Sequence, residues 1–334
     1  MIDTVYIERE AAEHPRAIEI LARFPDAERI VCQRYGEVFN RRAQSYRLQK
    51  RRQALILARK TERGVLEIPA GYGMGGERNF FFSHLLNCVF DCRYCYLRGM
   101  HRSAHLLLFV NYEQLAGEIE RRAAEAPDRQ CHFFSGFGGD SLAWDEVTGF
   151  CDYFLPVFEA LPNAWLELRT KSDRIRGLLR RQPSPRAVVA FSLAPQALAA
   201  ALEQGAPRLD RRLQAMSRLA ELGWKIGLRF DPLIFYPDYQ RGYAELFERV
   251  FSGLRPQQVH SASLGALRFP KQVFANIIDL YPDERLLAGP LVAEGRLVTY
   301  RQPIREQMLG FCRHRLQGWL PAERIFECGC EPVS

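Results

Sequence analysis

Three cysteines stand within eight residues in the run Cys88-Val-Phe-Asp-Cys92-Arg-Tyr-Cys95. Spacings of four and three let three thiolates from one loop converge on a single iron–sulfur cubane. Three ligands for a four-iron cluster leave one iron open to bind something else. A zinc site would usually ask for four ligands, often as two separated pairs, and no matching second pair stands nearby. A cluster that only carries electrons would also bring a fourth cysteine. The blander reading, three packing cysteines, fits the spacing and the placement after a strand poorly. The chain has nine cysteines, an odd count that cannot be fully paired and that suits a reducing compartment. Cys32, Cys131, Cys151 and Cys312 are scattered and read as small buried hydrophobes. Cys328 and Cys330 lie at the C-terminal end.

A second chemical signal is charge. The formal net charge is +7, yet residues 41–63 alone hold nine basic side chains against the single acid Glu62. A basic stripe of this kind favours a polyanion through counterion release, and the competing reading is a solvated helix face. Arg47, Lys50, Arg51 and Arg52 are the candidate nucleic-acid contacts.

The elements that must position these groups follow from hydrophobic patterning. Apolar or β-branched runs at 79–87, 131–137, 164–170, 187–193, 225–230 and 258–264 predict strands. Helix-like segments lie between them near 112–125, 144–161, 173–181, 208–222, 240–253 and 270–280. Such alternation predicts a parallel sheet with covering helices, and chemistry in the loops after the strand C-termini. Six units are too few for an eightfold barrel, so the expected fold is α/β, a partial (β/α)6 TIM-like barrel over 79–283. Residues 1–78 read as an N-terminal extension with a helix-like start, the basic stretch and a glycine-rich loop, and 284–334 as a C-terminal extension. Gly71-Tyr-Gly73-Met-Gly-Gly76 matches GxGxxG, but a strand-like run follows it where a dinucleotide fold needs a helix, so a plain loop is the better reading. At 334 residues and 47% hydrophobic, the chain has the mix of a soluble globular protein. It carries no apolar run of membrane-spanning length, and acids occupy the start where a signal peptide would be basic, which together predict a cytoplasmic protein.

A CxxxCxxC loop after the first strand of a six-unit α/β chain resembles the radical S-adenosylmethionine (radical SAM) superfamily. The resemblance narrows to the spore photoproduct lyase family. It rests on CRYCYL at 92–97, Phe109-Val-Asn-Tyr, Phe191-Ser192, Leu209-Asp210-Arg211, Gly227, Pro232, RGYAELF at 241–247 and LRFPK at 267–271. Tyr46-Arg47 and Ala58-Arg59-Lys60 fit the same pattern upstream. The resemblance implies that Cys88, Cys92 and Cys95 ligate a [4Fe–4S] cluster whose open iron takes S-adenosylmethionine. It also implies an electron donor such as flavodoxin or ferredoxin, and a 5′-deoxyadenosyl radical that initiates splitting of a C–C crosslinked pyrimidine lesion in DNA.

Single positions carry over one at a time. Gly138-Gly139-Asp140 is similar to the superfamily turn that meets the ammonium group of S-adenosylmethionine, with Asp140 as acceptor. Lys171 and Ser192 fall where the family contacts the cofactor carboxylate and ribose, and Asp231 is expected at the adenosine or the substrate. Tyr94 and Tyr96 flank Cys95 as a tyrosine does in the family, which makes both candidates for hydrogen relay and Tyr94 also for the cofactor site.

Two departures stand out. The family keeps a hydrogen-donating cysteine near the end of its second strand, and the matching position here is Phe137, with Cys131 at the wrong end of that strand. Cys328 and Cys330 are the candidate replacement donors. The family's basic C-terminal hairpin is shorter and less basic here, at 288–302 around Glu294-Gly295. Two other readings therefore remain in competition: a radical enzyme of this scaffold acting on RNA, a nucleotide or a peptide, and a non-catalytic iron–sulfur protein that binds nucleic acid.

Overall fold

The computed structural model describes residues 2–68 and 76–329. Six strands form consecutive parallel neighbours in one curled sheet. They are Arg78–Phe82, Cys131–Phe134, Ala164–Thr170, Ala187–Ser192, Lys225–Leu233 and Val259–Ala266. All six residues of Ala187–Ser192 are buried, as a parallel strand covered on both faces requires. The outer helices Tyr112–Ala124, Leu209–Glu221 and Tyr239–Gly253 each turn an apolar stripe inward. In Leu209–Glu221, for example, Leu209, Ala215, Met216, Leu219 and Ala220 are buried. Arg229 and Glu167, on neighbouring parts of the sheet, form a buried ion pair, with Arg229 Nη2 2.7 Å from Glu167 Oε2.

The expected helix over 144–161 is two helices, Asp145–Thr148 and Phe150–Glu159, broken at Gly149, whose φ of 60° lies in the left-handed region. The expected helix over 173–181 shrinks to Arg176–Leu179.

The expected first strand is also divided. Arg78–Phe82 enters the barrel, whereas Leu85–Leu86 runs antiparallel to Leu106–Phe109 in a second sheet. That sheet corrects the expected helix-like start: Thr4–Glu8 is a strand, parallel to Glu28–Cys32 on one side and to Leu55–Ala58 on the other, and Leu106–Phe109 continues it. Both central strands, Leu55–Ala58 and Leu106–Phe109, are wholly buried. The first helix, Pro15–Ala22, comes only after the first strand.

At the C-terminal side, Leu291–Glu294 and Leu297–Tyr300 form a hairpin through Gly295 (φ 52°), joined antiparallel by Arg268–Pro270. After the helix Gln302–Leu316, the strand Ile325–Glu327 adds itself parallel to Val259–Ala266 at the barrel edge. The glycine-rich run 71–75 lies outside the described residues. Among the described residues no helix is long and apolar enough to cross a membrane.

Candidate active site

The cysteine loop follows the first barrel strand and is pinned from three directions. Asp91–Cys92 pairs antiparallel with Glu203–Gln204, and Arg93 N–H donates to the Leu202 carbonyl at 2.7 Å. The Tyr94 hydroxyl donates to Glu203, whose other oxygen accepts from Arg212. Arg212 donates as well to the Ser192 carbonyl at 3.1 Å, tying the loop to the fourth strand end. On the opposite side, Lys50 Nζ and Gln53 Nε2 donate to the Cys88 carbonyl. Asn87, at φ 67°, donates through Nδ2 to the carbonyls of Ser103 and His105.

The three cysteines are free thiols. Burial pushes the Cys88 thiol up to about 12, with Asp140 adding to the shift and Lys50 opposing it. Burial raises Cys92 as well, and Lys171 opposes that shift. Such thiols ionise readily only beside a strong positive centre, which bound irons provide. Among the described residues, no three His, Cys, Asp or Glu side chains gather tightly enough to share one metal ion. A cubane spreads its thiolates over separate irons. The donor set therefore fits a cluster held at Cys88, Cys92 and Cys95, flanked by the ammonium groups of Lys50 and Lys171.

Several expected roles change. Lys50 is not part of a phosphate-facing stripe, because its ammonium is turned inward onto the cluster loop. Tyr94 is buried, and its hydroxyl is bonded to Glu203, so it fastens the loop. The Asp140 carboxylate, expected to meet an ammonium group, is bonded chiefly within the protein. Its Oδ1 accepts from Leu142 N, Ala143 N and Thr170 Oγ1 at 3.0, 2.8 and 2.7 Å, and its Oδ2 from Lys171 N at 2.6 Å. Those four bonds join the second strand end to the third and leave one acceptor site on Oδ2. The two glycines before it serve close packing. A Cβ on Gly138 would lie 2.7 Å from the Leu85 carbonyl, and one on Gly139 2.7 Å from the Asn87 carbonyl, both just ahead of the cysteine loop.

Other candidates meet at the mouth. Asp231 forms a two-pronged ion pair with Arg268, at 3.0 and 3.2 Å. Arg169 donates to the Asp231 carbonyl at 3.0 Å and to Ser192 Oγ at 3.3 Å. Burial alone would raise the Asp231 carboxyl, but Arg268 and then Arg169 overcome it and hold the group below its ordinary range. Cys328 lies near the same carboxylate, which adds to burial in raising its thiol, and its backbone N–H donates to the Leu264 carbonyl at 2.8 Å. Lys171 Nζ lies 5.4 Å from the centre of the Tyr94 ring. The Tyr96 hydroxyl donates to the Phe137 carbonyl, and the Phe137 ring, 40% exposed, packs 4.2 Å from Phe81 and 5.6 Å from Tyr96. Cys131 is buried at the far end of its strand. Cys330 lies outside the described residues.

The basic helix Tyr46–Arg51 borders this mouth. Arg47, Arg51 and Arg52 are exposed, Arg47 lies 5.6 Å from the Tyr281 ring centre, and Arg52 pairs with Asp3. Glu203, Arg212, Arg169 and Arg268 were not singled out from sequence. Glu203 had no signal, because the cysteine loop it holds is more than one hundred residues upstream; Arg268 lay inside the LRFPK run.

A curled half-barrel with a three-cysteine loop after its first strand defines a radical SAM type of protein. The spore photoproduct lyase family model matches residues 1–289, and the chain belongs to that family. A spore photoproduct lyase of Bacillus subtilis is 24% identical over 292 residues, covering 84% of this chain and 83% of that protein. One from a Geobacillus species is 23% identical over 202 residues, covering 60% of this chain and 59% of that protein. A solved spore photoproduct lyase variant superposes with a TM-score of 0.84 at 19% identity, covering 98% of both chains. Another, solved with bound AdoMet and dinucleoside spore photoproduct, gives 0.81 at 20% identity over 98% of both.

Proposed function

We propose that this chain is a radical SAM lyase that splits a C–C crosslinked thymine lesion in DNA. The observation that carries the reading is the cysteine loop held at the mouth of six parallel strands, with Tyr96 beside it and the Arg169–Asp231–Arg268 network on the far side. When bound, the [4Fe–4S] cluster and S-adenosylmethionine would supply a 5′-deoxyadenosyl radical. Cys88, Cys92 and Cys95 would hold three irons and leave one for the cofactor. Lys171 and Ser192 stand at neighbouring strand ends, where an ammonium and a hydroxyl suit a carboxylate and a ribose. Arg169 and Arg268 fix the Asp231 carboxylate in ionised form facing the substrate space. The exposed Phe137 ring offers an apolar face on which a thymine can stack. Arg47, Arg51 and Arg52 would meet backbone phosphates, and a one-electron donor of the flavodoxin or ferredoxin kind would serve as reductant.

The test is an anaerobic assay of reconstituted protein with S-adenosylmethionine and a reductant. Irradiated DNA carrying the thymine adduct should raise the 5′-deoxyadenosine yield and return unlinked thymines. A yield that is indifferent to irradiation would overturn the substrate, and no S-adenosylmethionine cleavage at all would overturn the enzyme class.

A further inference from the structure

Splitting a crosslinked pair by radical chemistry leaves an unpaired electron on carbon, which must receive a hydrogen atom before release. Phe137 cannot give one. Its ring hydrogens are strongly bonded, and the ring is occupied against Phe81. Of the thiols among the described residues, Cys32, Cys131, Cys151 and Cys312 are buried away from the mouth in sheets and helices, and three others belong to the cluster loop. Cys328 differs from all of these. The strand Ile325–Glu327 runs parallel to Val259–Ala266 and delivers Cys328 to the mouth at the end where the other strands finish. There it joins Asp231, and Asp231 is gripped by Arg268 and Arg169. Arg169 bridges the old and new positions, because a Cβ on Gly136, the neighbour of Phe137, would lie 2.5 Å from its own Cβ.

Resting on the lyase reading above, we propose that Cys328 is the hydrogen-atom donor that quenches the product radical. In the step, the Sγ–H bond breaks and a product C–H bond forms, leaving a thiyl radical on Cys328. One electron from the low-potential one-electron reductant that serves the enzyme, with one proton from water at the mouth, restores the thiol. The surroundings suit that task. Only the protonated thiol can give a hydrogen atom, and burial together with the Asp231 carboxylate raises Cys328 to about 12, so it remains S–H at neutral pH.

The experiment compares wild type with Cys328→Ser in D2O. Serine nearly keeps the size and stays polar, but its O–H bond is too strong to be a hydrogen-atom donor. Wild type should place one solvent-derived deuterium in the repaired thymine. Cys328→Ser should lose most repaired product in favour of scission side products, and the deuterium should disappear from what remains. Equal clean product and equal label in both proteins would overturn the assignment. A second readout does not use turnover: the S–H stretching band of Cys328 in the anaerobic holoprotein, followed by infrared difference spectroscopy and assigned as the band that Cys328→Ser lacks. Binding of the dinucleoside adduct should shift that band. An S–H band unmoved by the adduct means that Cys328 does not meet the substrate and overturns the proposal whatever the variant's stability. A wild type that shows no lesion-dependent 5′-deoxyadenosine would instead overturn the lyase reading, an outcome distinct from either of the others.

Discussion

Cys88 and Cys92 sit where burial discourages their thiolates, so these two ligands gain their ionised form only with the metal present. Single Cys88→Ala, Cys92→Ala or Cys95→Ala variants should therefore lose the bound iron and all reductive cleavage of S-adenosylmethionine, measured by iron content and 5′-deoxyadenosine yield. Full cleavage in any of them would remove that cysteine from the ligand set. Several buried histidines contribute to acid sensitivity, His101 and His260 among them, and His84 is the most strongly shifted. His84, stacked 4.0 Å from Phe150 in the core, is held down at about 3, chiefly by burial and then by Arg16. Its folded value lies below the ordinary 6.5, so the unfolded chain binds the proton first as pH falls. Stability should decline between pH 6.5 and about 3, by at most about 1.4 kcal/mol per pH unit from this group. Denaturant titrations should show that His84→Phe flattens the decline; an unchanged slope would assign the acid loss to other groups. The cysteine spacing was readable because all three ligands share one loop. The roles of Asp140 and Tyr94 were not, because their partners (Thr170, Lys171 and Glu203) come from distant strands and loops.

At the scale of elements, the cysteine loop depends on neighbours that approach it closely. Gly138→Ala would press a methyl group to 2.6 Å from Ser83 Oγ and 2.7 Å from the Leu85 carbonyl. Overpacking of this kind costs about 1–3 kcal/mol and should also loosen cluster retention. The buried Tyr94–Glu203–Arg212 set makes a sharper case. Glu203→Gln would leave the Arg212 guanidinium buried without its counter-charge, a loss of about 3–5 kcal/mol for a broken buried pair. Thermal melting should register both variants, and a wild-type melting temperature for Glu203→Gln would show that the pair is not what holds the loop. The six barrel strands were legible because each holds a short cluster of apolar or β-branched residues and alternates with a helix-like segment. The strand Thr4–Glu8 was overlooked although Thr-Val-Tyr-Ile is β-branched and aromatic, because the helix-like run that follows it dominates the N-terminal pattern. Ile325–Glu327 escaped for another reason: three residues carry no period, and its place is set by the edge of Val259–Ala266.

At the scale of the whole molecule, two structures border the mouth and set how a nucleic acid could approach it. One is the helix Tyr46–Arg51, which lies beside the cysteine loop through Lys50. The other is the hairpin Leu291–Tyr300, fixed to the sixth strand's exit by its pairing with Arg268–Pro270, with Arg296 exposed at its turn. Reading residues 41–63 as one stripe overlooked that the chain divides its cations between tasks. Lys50 faces inward, while Arg47, Arg51 and Arg52 face solvent; the exposed pairing of Arg52 with Asp3 is weak enough to yield to a phosphate. These two groups should separate in one measurement. Neutralising Arg47, Arg51 and Arg52 together should weaken duplex binding and flatten its salt dependence by up to about 0.9 in log–log slope for each phosphate left without its cation. Lys50→Met should leave that slope unchanged and lower the iron retained after reconstitution, because the ammonium no longer steadies the Cys88 carbonyl. Binding titrations over a range of salt concentrations, with iron assays alongside, would decide the matter. If the triple arginine variant kept the wild-type slope, the exposed stretch would be a solvated face and the DNA would have to enter across the hairpin; if Lys50→Met flattened it, the inward placement of Lys50 would not describe the protein that binds DNA.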